Sequence, residues 1–154
     1  MGYPVAGIDP GVNGGVAVLG VDSSILYVQG FKGKMTHKEL VHAVYTANLI
    51  LCNAGGNAFF VEKVGFIKGD GGLGAFTFGQ VAGLLRGAAL ALGATVHDVY
   101  PFMWQSRLNC LSGGNKNVTK KKAQEIWPSE KWTHAIADAA LIAEYGRRVL
   151  AGVR

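Results

Sequence analysis

Apolar and polar positions form short runs at the start of the chain and longer, helically spaced stretches after it. Tyr3 to Ile8 is an apolar run of strand length, and Val16 to Val21 is a second. The segment Pro10-Gly11-Val12-Asn13-Gly14-Gly15 between them is dense turn chemistry, with Asn-Gly supplying positive φ. Ile25 to Phe31 predicts a third strand, so the chain should open with an antiparallel meander. Thr36 is placed to cap a helix, with Glu39 as capping-box partner. Leu40, Val41, Val44, Tyr45, Leu49 and Leu51 are its expected buried stripe, and Gly55-Gly56 ends it. Ala58 to Val64 predicts a fourth strand and Phe66 to Gly72 a glycine-rich loop. Leu73 to Leu92 is apolar at helical spacing, and Ala94 to Tyr100 predicts a fifth strand closed by Pro101. Phe102 to Leu111 predicts a short helix, Ser112 to Asn117 a flexible turn, and Thr119 to Trp127 another short helix. A last helix, capped by Thr133, should run to about Leu150, with Arg147 and Arg148 at its negative end. The order predicts an α/β fold: a mixed five-stranded sheet, a three-strand antiparallel meander then two strands, with helices on both faces. No repeat, linker or low-complexity tract divides residues 1–154, so one domain is expected.

Composition narrows the function. Hydrophobic residues make up 49% of the chain and charged residues only 16%, so each charged cluster is informative. A net charge of +5 fits a polyanionic partner. Cys52 and Cys110 are too few for a disulfide framework and form no CxxC, which argues against a cysteine zinc site. Cys52 falls in an apolar helical pattern and is expected to pack as a small hydrophobe. The first residues lack a basic flank before an unbroken apolar run, and Ala6 stands where a myristoylation signal has Ser or Thr. No apolar run is judged long and charge-free enough to span a bilayer. A protein of the reducing cytoplasm, with no membrane partner, is expected.

Three carboxylates, far apart in sequence, carry the chemistry. Asp9 ends the first apolar strand, Glu62 falls at the end of the fourth, and Asp138 interrupts the apolar part of the last helix. A charge on an apolar stretch is unfavourable unless paired, metal-bound or hydrated. Carboxylate oxygens are the ligands Mg²⁺ prefers. If the first and fourth strands are neighbours, Asp9 and Glu62 meet at one sheet end, where open α/β sheets gather ligands. His134 lies one helical turn before Asp138. Each residue alone has a plainer reading. Asp9 before Pro-Gly is a turn former, Glu62 pairs with Lys63 or Lys68, Asp138 is hydrated, and His134 lies on the surface.

In this order the motifs resemble those of the RuvC-type Holliday junction resolvases, within the RNase H-like superfamily, and most of all their phage-borne branch. The resemblance rests on Gly7-Ile8-Asp9-Pro10-Gly11 with Asn13-Gly14-Gly15, on Val61-Glu62-Lys63-Val64, and on Phe76-Thr77-Phe78-Gly79-Gln80. It continues through Val99-Tyr100-Pro101 with Trp104, the lysine-rich segment, and Ala137-Asp138 to Tyr145-Gly146. It spans nearly the whole chain. The resemblance implies a homodimeric endodeoxyribonuclease that resolves Holliday junctions or other branched DNA and needs Mg²⁺ or Mn²⁺, two ions per site. It implies that Asp9, Glu62 and Asp138 hold the metals, with Asp9 bridging them. Many relatives carry Asp or His three residues before the last acid, where this chain has Ala135, so His134 is the candidate fourth ligand or proton carrier.

Lys116, Lys120, Lys121 and Lys122 are the first choice for phosphate contacts, with Asn115 and Asn117 adding hydrogen bonds. In the glycine-rich segment, Lys68 and Gly71 are candidate DNA contacts, and Phe66, Phe76 or Phe78 a candidate wedge against an unstacked base. At least one of Phe76 and Phe78 is expected to be buried at a helix start. Trp104 is expected to pack. Gly79, Gly83 and Gly87, four apart, predict either a dimer contact or close packing on the sheet. The competing functions are a junction-binding module without catalysis, an actin-like ATPase and a dinucleotide-binding protein. The last rests on Gly69-Asp70-Gly71-Gly72-Leu73-Gly74, which matches GxGxxG, with Asp98 ending the next strand. Against it, Gly65 to Lys68 separate the motif from its strand and no βαβ unit opens the chain. The ATPase needs two such domains.

Overall fold

The structure is a computed structural model that describes residues 2–31, 33–63, 65, 69 and 71–153. Five strands form one sheet in the order β3-β2-β1-β4-β5. They are β1 (Val5–Asp9), β2 (Gly15–Leu19), β3 (Ile25–Gly30), β4 (Ala58–Glu62) and β5 (Thr95–Val99). The first three pair antiparallel, and β4 runs parallel to both β1 and β5. The helices are α1 (His37–Asn53), α2 (Gly72–Ala91), α3 (Pro101–Arg107), α4 (Lys116–Ile126) and α5 (His134–Leu150). Both β1 and β2 are buried along their whole length because helices cover the two sheet faces. One core joins Val5, Ala17, Leu19 and Phe60 to α3, α4 and α5. The other joins Ala6, Ile8, Val16, Val18, Phe59 and Val61 to α1 and α2. The mixed sheet expected from the sequence is the one observed.

Local chemistry set several element ends. Thr36 and Glu39 form the capping box of α1, with bonds of 3.2 and 2.7 Å. Thr133 caps α5 through the Ile136 N–H. In α4 the start differs from the expected Thr119. Asn115 accepts the Asn117 N–H at 3.0 Å and opens the helix at Lys116, so Lys116 and Asn117 leave the expected turn for the first helical turn.

Three other expectations are corrected. The buried face of α1 is Leu40, Ala43, Val44, Ala47, Asn48 and Leu51, while Tyr45 and Leu49 are exposed. The small side chains of Ala43 and Ala47 let the helix lie close to the sheet, and this rotates the expected stripe. The same rotation leaves Cys52 exposed rather than packed. Finally, α2 is long and apolar enough, by length and composition, to cross a membrane. Its buried residues are Val81, Leu85 and Ala89, and Leu73, Phe76 and Leu90 lie exposed.

Candidate active site

Strand alternation places the first two acids. Successive side chains of a strand point to opposite faces. Val5 and Phe60 belong to the core under α5, so Gly7 and Asp9 share the face of Val5, and Glu62 that of Phe60. The parallel register pairs Ile8 with Val61, so Asp9 and Glu62 follow one residue later at the same sheet edge. The third acid arrives by close packing. A Cβ on Gly7 would overlap the Ala139 carbonyl oxygen and the Ala143 nitrogen, and one on Gly146 would overlap the Phe60 ring. With glycine at both points α5 lies directly on β1 and β4. Asp138, one residue before Ala139, is thereby held above the ends of those strands.

Asp9, Glu62 and Asp138 line one cleft of about 590 Å³, together with Lys116 and Thr119. Asp9 is only 8% exposed. Its Oδ1 accepts the Gly11 N–H at 3.2 Å, so it does hold its own turn while facing the cleft. Burial, then the charge of Asp138, push its pKa from 3.8 up to about 6, against the pull of the Gly11 bond and Lys116. Burial, then the charge of Asp9, push Glu62 from 4.5 up to about 7. The indole N–H of Trp104 donates to Glu62 Oε2 at 2.7 Å and works in the opposite direction. Burial also raises Asp138, partly offset by the Thr119 hydroxyl and the charges of Lys116 and His134. The Thr119 hydroxyl is bonded to the Lys116 carbonyl at 3.2 Å. Asp138 Oδ1 is buried and accepts no hydrogen bond from any described residue.

A neighbouring acid on the same helix shows the contrast. Glu144 is 2% exposed and accepts bonds from Ser23, Arg147 and Arg148 at 2.8 to 2.9 Å. Burial alone would raise its pKa, and these donors together lower it. Glu144 is a satisfied structural anion that ties the β2–β3 turn to α5. Asp138, by contrast, has one oxygen, Oδ1, with no hydrogen-bond donor among the described residues.

The three acids fit a hard divalent cation in donor chemistry. They supply only oxygen ligands, burial and one another's charge disfavour their ionised forms, and one buried oxygen lacks a donor. They stand around the cleft rather than converging: among the described residues no three His, Cys, Asp or Glu side chains form a ready-made metal cluster. His134 does not line the cleft. It is exposed, with Nε2 bonded to Asn117 Oδ1 at 3.0 Å, and reaches Asp138 only through its charge.

The expected DNA contacts divide. Lys116 turns into the acid cleft, where its charge acts on all three carboxylates. Lys120 and Lys121 are exposed on α4, and Lys122 is half-buried with Nζ 3.9 Å from Glu125. Gly71 is the exposed N-cap of α2. Phe76 is 63% exposed, and Phe78 is half-buried, so neither is fully buried. Lys68 lies outside the described residues, as do Phe66 and Asp70. Glu62 pairs with Trp104 rather than Lys63, which instead stands 3.9 Å from Asp98. Asp98 is also bonded to Arg86, so the carboxylate of the dinucleotide alternative is already engaged. Sequence reasoning missed the bond from Trp104 to Glu62. The available signal was that a buried indole N–H needs an acceptor. It also missed Thr119 and the cleft wall of Pro101, Phe102, Gln105 and Leu111.

No protein-family model and no curated protein matches the sequence. Solved structures do. Thermus thermophilus RuvC superposes with a TM-score of 0.71 at 24% identity, covering 98% of this chain and 98% of that one. T. thermophilus RuvC in complex with Holliday junction substrate gives 0.70 at 24% identity, covering 98% and 97%. The yeast mitochondrial Holliday junction resolvase Ydc2 gives 0.53 at 14% identity, covering 98% of this chain and 83% of that one. The fold of this chain is therefore the one these RuvC structures share.

Proposed function

We propose that the chain is a metal-dependent, structure-selective endodeoxyribonuclease that cuts branched DNA, four-way junctions above all. The observation that carries this assignment is one cleft lined by Asp9, Glu62 and Asp138, with a buried Asp138 oxygen that has no donor among the described residues, on a fold shared with junction resolvases. Asp9, Glu62 and Asp138 would hold Mg²⁺ or Mn²⁺ in the cleft they line. Such a cation would supply activation of the attacking water and stabilisation of the leaving 3′ oxygen. The residues do the rest. Trp104 keeps Glu62 Oε2 turned toward α3, leaving the other oxygen for the cleft. Lys116 offsets the collected negative charge and meets the incoming phosphate. His134, at the rim beside Asp138, carries a proton to or from solvent rather than acting as a ligand. Lys120 and Lys121 neutralise flanking phosphates along exposed α4, and exposed Gly71 and Phe76 contact DNA at the start of α2.

Two protomers cut paired strands. The exposed face of α2 is their contact: Cβ positions built at Gly79, Gly83 and Gly87 meet nothing within 4 Å, so a second helix can approach closely. Close packing of the stripe on the sheet is not observed among the described residues. A junction-binding module without catalysis is the second possibility, favoured by Ala135 where relatives carry a further ligand.

The test is cleavage of a panel of linear, forked and four-way DNAs with and without Mg²⁺ or Mn²⁺. Cation-dependent cutting of branched DNA, lost in Asp9→Asn while binding persists, supports nuclease action. Binding without cutting by the unaltered protein identifies the module instead.

A further inference from the structure

The acid cleft has a second kind of wall. Phe102, at the start of α3, is 69% exposed, and Leu111, just beyond its end, is 57% exposed. Both line the same cleft as Asp9, Glu62 and Asp138, as does Pro101. The helix itself is not loose. Trp104, two residues after Phe102, is fully buried and bonded to Glu62, so the backbone that presents Phe102 is tied to the acid floor. A large apolar ring held in water beside a carboxylate cluster is unfavourable in the free protein unless something apolar covers it.

We infer that Phe102, with Leu111 beside it, forms a nucleobase-stacking wall that takes an unpaired base next to the phosphate to be cut. The inference rests on the nuclease assignment above and names what that site selects. A scissile phosphate seated over the acids carries a nucleoside on each side, and one of them must lie against a cleft wall. In a duplex, stacked and paired bases offer such a wall only sugar and phosphate. At a branch point bases are unstacked at little cost, and an aromatic face receives any base. The acids and Lys116 are indifferent to branching because they engage backbone alone. An apolar wall continuous with them supplies discrimination between branched and linear DNA. A second copy of this chain is the rival occupant of the same wall.

The test compares the unaltered protein with Phe102→Ala and Phe102→Trp on a four-way junction carrying 2-aminopurine beside the crossing, and on a linear duplex of the same sequence. Binding is measured without divalent cations, cleavage with Mg²⁺, and oligomeric state by sedimentation. Expected for Phe102→Ala is a 5- to 100-fold loss of junction affinity, with duplex binding, melting temperature and oligomeric state unchanged. The 2-aminopurine signal seen with the unaltered protein should vanish and return with Phe102→Trp. An unchanged ratio of junction to duplex affinity, in a protein that still cuts, overturns the wall and leaves the nuclease assignment standing. Dissociation of a dimer in Phe102→Ala overturns it in favour of the second copy. Failure of the unaltered protein to cut any branched DNA instead removes the nuclease assignment, and the wall with it.

Discussion

Asp9→Asn should make the cation-free protein more stable while abolishing cleavage. Asp9 is 8% exposed and its pKa is raised from 3.8 to about 6 by burial and by Asp138. A carboxyl group whose folded pKa lies above its unfolded value binds its proton more tightly in the native state. Its stabilising contribution is complete below the unfolded pKa and is lost as pH rises through the folded one. For Asp9 that window runs from pH 3.8 to somewhat above 6. A shift of roughly two pH units corresponds to about 3 kcal/mol of stability lost by pH 8. Glu62 titrates over a higher window, from 4.5 to about 7, partly because Asp9 is charged, so the two losses overlap rather than add. Asparagine keeps an oxygen to accept the Gly11 N–H and carries no charge. The mutant should therefore melt higher at pH 8 in a chelator, by up to roughly 6–12 °C for a domain of this size. The advantage should disappear near pH 4, where the wild-type carboxyl is already neutral. Mg²⁺ should raise the wild-type melting temperature and leave the mutant less affected. Calorimetric melts of both proteins from pH 4 to 8, with and without Mg²⁺, measure all of this. A mutant that melts at or below the wild type at pH 8, or a difference independent of pH, would refute the view that Asp9 is a strained, desolvated anion.

Trp104→Phe removes the donor to Glu62, a bond to a charged group worth about 1.5–3 kcal/mol. The Mg²⁺ concentration for half-maximal cleavage should rise roughly 10- to 100-fold, and calorimetric titration with Mn²⁺ should show the same weakening; unchanged affinity rejects the bond's role. Replacing Lys120 and Lys121 by Ala should weaken junction binding and reduce its log–log salt slope by about 2. An unchanged slope places these lysines off the DNA. Gly7→Ala forces a Cβ into the Ala139 carbonyl and the Ala143 nitrogen, so α5 must lift from β1. It should destabilise the protein by about 1–3 kcal/mol or more in urea unfolding, and lower cation affinity as Asp138 moves; a fully stable variant would contradict the packing described.

The legible parts of this protein were local. Apolar runs of strand length, the Thr36–Glu39 capping box and the Thr133 cap depend on neighbours a few residues away, and each produced its element. The stripe of α1 was misplaced because Ala43 and Ala47, weak signals in sequence, are the residues the sheet selects for close approach. The start of α4 was missed because a single Asn115 side-chain bond moved it, and with it Lys116 swung from an expected surface contact into the acid cleft. The exposed apolar face of α2 was illegible because helical spacing shows that a face exists and not whether anything in the chain covers it.

The sequence by itself determined which residues are acidic on apolar elements, and that Asp9 and Glu62 end strands, because apolar runs and turn chemistry are properties of adjacent residues. Only the tertiary structure decided that β1 and β4 are parallel neighbours and that α5 crosses both on two glycines. The same is true of Trp104 donating to Glu62 while Asp138 Oδ1 accepts no bond from a described residue. Those outcomes depend on contacts between segments 40 or more residues apart, whose geometry is set by how backbones and side chains fill shared space.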